Sequence, residues 1–292
     1  MFLTQSRLAV SIEGTSIRLL ACRARTVQWW AEVSLEPRLF RNGFLIDARG
    51  FVQALKSSNH AGKIPKGNVV AALPGFQSFS RVLRVPKEAR RNLAAIVAGD
   101  ARRSFPDVER NMFLYWQAFG AKDDMQQSVF LLAVPKQPLT TYLDALGAAG
   151  MRPRTLDLRP LALARSVNRP DAIIGNSEST VLDVIIVRND VPVVMRSMYL
   201  GEDYEAPEYV NARLAEELAR TVAHFNSTSQ EGHLAPDTPV LLTGRGVAMD
   251  PTLGSSVEEM TQHPVVALEP PFDYPDDFPV GQFMVHLGLM LK

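Results

Sequence analysis

With 292 residues, 46% of them hydrophobic and 21% charged, the chain has room for about two domains of ~100–200 residues each and the composition of a folded protein rather than a disordered one. Its 31 basic and 31 acidic residues cancel, which excludes an overall positive field for holding nucleic acid. The one cysteine, Cys22, cannot form an internal disulfide, the first residues lack the charged lead and apolar run of a secretory signal, and no stretch approaches the ~20 apolar residues of a membrane-spanning helix. The single cysteine fits a reducing compartment, and any link to a membrane is expected to be made through a partner.

Residues 8–12 are a short apolar run, punctuated by Glu13-Gly14-Thr15. Ile17, Leu19 and Ala21 then recur at the strand period of two, and 27–33, rich in valine and tryptophan, predicts a third strand. Residues 7–35 thus read as a three-strand meander. Asp47 is placed to cap a helix whose apolar positions are Phe51, Val52 and Leu55. Residues 68–73 predict a buried strand stopped by Pro74-Gly75. From 77 to 152 the order is strand (78–85), helix (88–104), strand (113–119), polar turn, strand (128–134) and a helix with Leu139, Tyr142, Leu143 and Leu146 on one face and Gly150 at its C-terminal cap. That order predicts a small α+β unit inserted into a larger fold.

The second half echoes the first. Residues 172–174, 181–187 and 191–198 are apolar strands, separated by the polar stretch Gly175-Asn176-Ser177-Glu178-Ser179 and the turn pair Asn189-Asp190. A helix over 211–227 buries Leu214, Leu218, Val222 and Phe225; a core strand over 239–242 ends in Thr243-Gly244-Arg245-Gly246; Asp250-Pro251 can start a further helix; and a last one covers about 279–291. A recurring βββα unit predicts two similar α/β lobes facing a cleft.

The usual nucleotide and catalytic signatures are missing. No G-x-x-x-x-G-K-[ST] or G-x-S-x-G occurs, and Gly244-Arg245-Gly246 fails the dinucleotide fingerprint because position 249 is methionine. The histidines His60, His224, His233, His263 and His286 stand at no metal-ligand spacing, so no metal site is expected. No catalytic residue is assigned.

Five segments in order nevertheless resemble the PilM and FtsA branch of the actin-like ATPases. They are Leu8-Ala-Val-Ser-Ile-Glu-Gly-Thr-Ser-Ile-Arg-Leu-Leu20, resembling the first phosphate loop, and Asn68-Val-Val-Ala-Ala-Leu-Pro-Gly75, resembling the strand that follows. The third is Leu146-Gly-Ala-Ala-Gly-Met-Arg-Pro153 with Asp157-Leu-Arg-Pro-Leu-Ala-Leu-Ala164, and the fourth is Pro239-Val-Leu-Leu-Thr-Gly-Arg-Gly246, resembling the adenosine-side loop. Pro264-Val-Val with Pro270-Pro-Phe272 and the apolar last helix completes the order. The resemblance covers nearly the whole chain. It implies two actin-like, ribonuclease-H-like lobes: the first from 1–76 and 153–170, with 77–152 inserted as an α+β subdomain, and the second from 171–292. It also implies a cytoplasmic protein that docks the short tail of a PilN-like inner-membrane protein, and it brings ATP with magnesium as the cofactor of the family.

The loops depart from the family. Ser11 stands at the position of the first loop's metal-facing aspartate and Glu13 at that of the following glycine, with Gly14 and Thr15 completing the turn; in the second loop Asn176 and Glu178 take the corresponding places, followed by Ser179. In the third, Arg245 replaces a glycine between Gly244 and Gly246, where its guanidinium can narrow the adenine pocket or pair with Glu13 or Glu178. A glycine loop holds phosphate with bare backbone N–H groups. A glutamate there adds bulk and charge, and two like charges ~4 Å apart repel by about 4 kcal/mol at an effective dielectric near 20. Ser11 and Asn176 are also poorer magnesium ligands than aspartate. The expectation is a chain without ATP, a scaffold of a type IV pilus or related secretion platform that holds a partner's tail between the first lobe and its insert. The alternative is a working ATPase or nucleotide switch in the same assembly. A small-molecule kinase would need an aspartate base, for which Asp157 and Asp183 qualify by residue type alone. Arg90, Arg91, Arg102 and Arg103 make the helix over 88–104 the most basic element, either a solvated face or a contact for an acidic partner or anionic lipid.

Overall fold

A computed structural model describes residues 6–65, 67–75, 78–86, 91–104, 107–119, 126–201, 207–229 and 232–292. The chain divides into two compact units, residues 1–76 with 143–292, and residues 77–142.

Strands β1 (Arg7–Glu13), β2 (Ser16–Arg23) and β3 (Thr26–Ser34) form the expected antiparallel meander. β1 and β2 are buried on both faces along nearly their whole length, which explains why they read as apolar runs rather than as clean alternation. A 3-10 turn (Pro37–Leu39) and a short hairpin of β4 (Phe40–Arg41) and β5 (Phe44–Leu45) lead into α1 (Ala48–Ser57). Its cap is the expected one: the Asp47 carboxylate accepts from the Gly50 N–H at 2.9 Å. β6 (Asn68–Leu73) then pairs parallel with β1.

The insert holds β7 (Phe79–Pro86), α2 (Leu93–Ser104), α3 (Val108–Asn111), β8 (Met112–Phe119) and β9 (Gln126–Pro135). Its antiparallel sheet has the order β7-β9-β8, and α2 packs on one face of it around Val85, Val97, Leu131 and Ala133. Residues 87–90, including Arg90, lie outside the described residues. α4 (Lys136–Ala148) carries the chain out of the insert and ends in a reversal at Gly150, whose φ of +81° favours glycine. The compact unit ends at Tyr142, inside α4, whereas the sequence reading places the boundary at 152.

β10 (Pro153–Leu158) adds parallel to β6, giving a first sheet of order β10-β6-β1-β2-β3. α5 (Arg159–Val167) follows, then the second meander, β11 (Ala172–Ser177), β12 (Val181–Arg188) and β13 (Val191–Tyr199). After α6 (Pro207–Thr228), β14 (Val240–Thr243) pairs parallel with β11, so the second sheet, β13-β12-β11-β14, repeats the β3-β2-β1-β6 part of the first. α7 (Arg245–Ala248), α8 (Leu253–Thr261) and α9 (Val280–Met290) complete the chain. The helix expected from Asp250-Pro251 begins two residues later than read, because the Asp250 carboxylate accepts from the Thr252 N–H at 3.0 Å and closes a turn instead.

α5 and α9 form one core with the inner faces of both sheets, through Leu163 and Phe283 against Leu20 and Val70 of the first sheet and Ile174 and Ile185 of the second. The two helices nearly touch: a Cβ on Gly288 would lie 1.9 Å from the Ala162 carbonyl oxygen. α9, assigned by sequence to the second lobe, also closes on the first sheet, where Arg7 Nη1 donates to the Met290 carbonyl at 2.9 Å. The outer face of the second sheet is covered by α6 and α8 around Val184, Leu214, Leu218 and Val257.

Candidate functional site

Along each inner sheet face, the side chains turn from apolar to polar toward the hairpin tips. Residues two apart share a face, so Ala9 is followed by Ser11 and Glu13, and Leu20 is preceded by Arg18 and Ser16. On the second sheet Ile174 gives way to Asn176, and Ile185 to Asp183. Strand register then lines up two polar rungs. In the first, Ser11, Arg18 and Glu32 stand side by side on β1, β2 and β3. In the second, Thr243, Asn176, Asp183 and Ser197 cross β14, β11, β12 and β13.

The two hairpin tips meet. Gly14 has φ +61°, and a Cβ there would lie 2.2 Å from Ser179 Oγ. Across this junction Arg18 donates from Nη1 and Nη2 to the two Glu178 oxygens at 2.7 and 2.9 Å, and from Nη1 to the Gln282 carbonyl at 2.9 Å. Its Nε lies 3.3 Å from Glu32 Oε2. Arg159, the first residue of α5, makes the second bridge: Nη1 is 3.3 Å from Glu13 Oε2, while Nε lies 2.8 Å from Asp183 Oδ2. Asp183 also accepts from Asn176 Nδ2 at 2.9 Å and from Ser197 Oγ at 2.5 Å, and Ser11 Oγ donates to Glu13 at 2.5 Å. Both bridging arginines are 1% exposed, so this is a desolvated network joining the two sheets.

Electrostatics follow from burial and pairing. Burial alone would depress the two arginines, but Glu178 beside Arg18 and Asp183 beside Arg159 hold both above the ordinary arginine range. Burial first, with the Glu178 charge adding to it, pushes the Glu13 carboxyl up to about 7, against the opposing pull of Arg159. Glu13, Glu32, Glu178 and Asp183 face Arg18, Arg159 and Arg245, so a proton on Glu13 brings the cluster to charge balance. Behind it, His286 Nε2 lies 3.0 Å from the Arg18 carbonyl oxygen; burial, then the Arg18 charge, lowers this imidazole to about 3, so it is neutral and donates.

The third loop closes on the same cluster. Gly244 has φ +98°, and a Cβ there would lie 2.3 Å from the Ser177 carbonyl oxygen; one on Gly246 would lie 2.4 Å from Ser177 Oγ. Ser177 Oγ donates to Asn211 Oδ1 at 2.7 Å, and Asn211 Nδ2 donates to the Gly246 carbonyl at 2.9 Å. The Arg245 guanidinium pairs with Glu32. This corrects the expected pairing with Glu13 or Glu178: only the Arg245 backbone N–H reaches Glu178, at 3.3 Å from Oε1.

Of the residues singled out by sequence, Ser11, Glu13, Gly14, Asn176, Glu178, Ser179, Gly244, Arg245 and Gly246 come together here. Thr15 stays at the turn, its carbonyl accepting from the Leu35 N–H at 2.8 Å. Asn176 lies within β11 rather than in the polar connection, because that strand runs on to Ser177. The sequence pattern singles out Asp183 only as a candidate base and does not point to Arg18, Arg159 or Glu32. The available signal was a lone charge inside an apolar strand, Arg18 between Ile17 and Leu19 and Asp183 between Leu182 and Val184. Asp157 is instead held by Arg165 at 2.7 Å and Lys292 at 3.4 Å. Arg91, Arg102 and Arg103 are exposed, with Arg103 paired to Asp100 at 2.9 Å. Among the described residues, no group of three or more His, Cys, Asp or Glu side chains could hold a metal ion.

No family model matches the chain, and no curated protein matches it in sequence. Solved structures do. A PilM-PilN type IV pilus biogenesis complex matches with 20% identity and a TM-score of 0.78, over 98% of this chain and 97% of that one. The cytoplasmic domain of EpsL, an inner-membrane component of the type II secretion system of Vibrio cholerae, matches with 13% identity and a TM-score of 0.54, over 98% and 96%. A Bacteroides thetaiotaomicron protein with an actin-like ATPase fold and unknown function matches with 10% identity and a TM-score of 0.53, over 99% and 97%. With its repeated sheets, its two central helices and its α/β insert, the chain has the actin-like ATPase fold.

Proposed function

We propose that this chain is a scaffold of a type IV pilus or related secretion platform at the inner membrane. In this reading it holds the cytoplasmic tail of a PilN-like membrane protein, and its nucleotide cleft is closed by its own side chains. The observation that carries the reading is the ion-pair network across the hairpin tips. Glu13 and Glu178 stand at the turns a triphosphate would have to touch, and the guanidiniums nearby are already paired with carboxylates. Entry of a nucleotide would set its phosphates against buried carboxylates and break pairs whose loss costs about 3–5 kcal/mol when one partner is left alone. The residues therefore do not fit a magnesium–nucleotide complex. Likeness in fold to a PilM-PilN complex supports the partner, and likeness to the cytoplasmic domain of EpsL supports the setting. No helix among the described residues is long and apolar enough to cross a membrane. In this reading attachment runs through the partner's tail. An extended tail can bind by adding main-chain hydrogen bonds to a sheet edge.

The test pairs two measurements on the full chain. Thermal unfolding with and without Mg-ATP should give the same midpoint; a ligand at a hundred times its Kd would add about 2.7 kcal/mol, and an upward shift of that size would overturn the closed cleft. Immobilised peptide corresponding to a PilN-like cytoplasmic tail should retain the chain without nucleotide. Failure to retain it, with ATP or without, would overturn the partner assignment.

A further inference from the structure

Charge is unevenly shared between the two compact units. Residues 77–142 hold ten basic side chains against six acidic ones, a net +4, so the remainder of this neutral chain carries −4. Part of the surplus gathers on the outer side of α2. Leu93, Val97 and Ala101 pack on the insert sheet. The side turned away shows Ala94 and Ala95 to solvent, with Ala98 and Gly99 half-buried. Arg91, two residues before the helix, and Arg102 are exposed on the same stripe, since 91, 95, 98 and 102 are in helical step. The Arg103 side chain is 74% exposed and that of Arg81 on β7 51%; both reach Asp100, at 2.9 and 3.3 Å, so one nearly buried carboxylate answers two guanidiniums. The sheet brings an aromatic ring to this side. Arg81 of β7 and Trp116 of β8 both stand opposite Leu131 of β9, so the three form one row on the face that α2 covers, and Trp116 is 43% exposed at its rim.

We propose that this side of the insert, with Arg81, Arg91, Arg102, Arg103 and Trp116, lies against an anionic lipid surface. Guanidiniums and a half-exposed indole are groups that settle at a bilayer interface, the cations against the phosphates and the indole among the headgroups. The alanines and glycine between the arginines keep the helix face low, and the long arginine stems reach headgroups on either side of it. Asp107 is also exposed, beyond the end of α2, but four arginines against Asp100 and Asp107 leave this side positive. An acidic protein is the weaker fit. Specific protein contacts centre on large side chains set in pockets, and no large apolar side chain of α2 is exposed to anchor one. The inference rests on the proposed function only for where such a lipid surface is met. Each arginine strengthens binding about five-fold, so the face orients a chain already tethered and does not anchor it alone.

At low salt the full chain should sediment with vesicles of phosphatidylglycerol in phosphatidylcholine, stay in solution with phosphatidylcholine alone, and be released as salt rises. Arg91→Gln with Arg102→Gln should lower the partition coefficient about 25-fold, five-fold for each charge. Lipids brominated high in the acyl chain should quench part of the tryptophan emission. Trp116→Phe, which keeps every arginine, should remove that quenching and leave the emission of Trp29 and Trp30 in the first sheet. A chain that does not sediment with the anionic vesicles would overturn the proposal, even if it is still retained by a PilN-like tail. Equal binding to neutral vesicles, a double variant within two-fold of wild type, or quenching that survives Trp116→Phe would overturn it as well. Vesicle binding without retention on the tail would support this face and overturn the partner assignment alone.

Discussion

Replacing Arg159 with methionine would leave Glu13 and Asp183 facing each other across a site closed to water. Removing one member of a buried pair costs about 3–5 kcal/mol, most of it the isolation of the remaining charge. Arg159→Met should therefore lower urea stability by about that much, and a loss under about 1 kcal/mol would show that the bridge to Glu13 and Asp183 does not hold the sheets together. Arg18→Met together with Glu178→Leu should cost less than Arg18→Met alone, since no charge is then stranded. Glu13 gives a pH-dependent test. Its folded carboxyl is raised to about 7 from an ordinary 4.5, so it binds its proton more tightly in the folded state. The stability it contributes is complete below 4.5 and is lost as pH rises through 7. Glu13→Gln removes that loss, so the variant should gain on wild type between pH 5 and pH 8, by up to about 3 kcal/mol. Equal stability differences at the two pH values would refute the raised carboxyl.

Elements meet where the backbone itself comes close. Gly288 of α9 lies against the Ala162 carbonyl of α5, and Gly288→Ala should cost about 1–3 kcal/mol in chemical denaturation by forcing the helices apart. Gly281, in the same helix, has nothing nearer than 3.7 Å, so Gly281→Ala should be neutral or stabilise by up to ~1 kcal/mol. If the two substitutions behave alike, helix propensity and not the close crossing decides. The elements themselves were largely readable: both meanders, the Asp47 cap and the Gly150 reversal follow from period, capping chemistry and positive φ. The exceptions share a cause. β11 runs on through Asn176 and Ser177, and Asp250 closes a turn ahead of α8, because polar side chains found partners on other elements (Asp183, Thr243 and Asn211) or local backbone that propensity does not weigh.

At the scale of the molecule, the last helix is the keystone of the first unit. Phe283, Leu287 and Leu289 of α9 are all buried in the core shared by the two sheets, and each such side chain is worth ~1.5–3 kcal/mol on burial. Ending the chain before Val280 removes these together, a loss comparable to the ~5–15 kcal/mol that holds a domain folded. The shortened chain should show no cooperative melt by circular dichroism; a transition within a few degrees of wild type would mean that α9 only decorates the fold.

The sequence by itself determined the α/β class, the duplicated meander, the inserted unit and the presence of Glu13 and Glu178 beside the two hairpin turns, because these rest on local period, turn chemistry and residue order. What only the tertiary structure decided was which charge answers which. Arg18 finds Glu178, and Arg159 joins Glu13 to Asp183, across separations of 160, 146 and 24 residues. Ion pairing depends on distance in space and on the exclusion of water, and neither exists until both sheets have packed on α5 and α9.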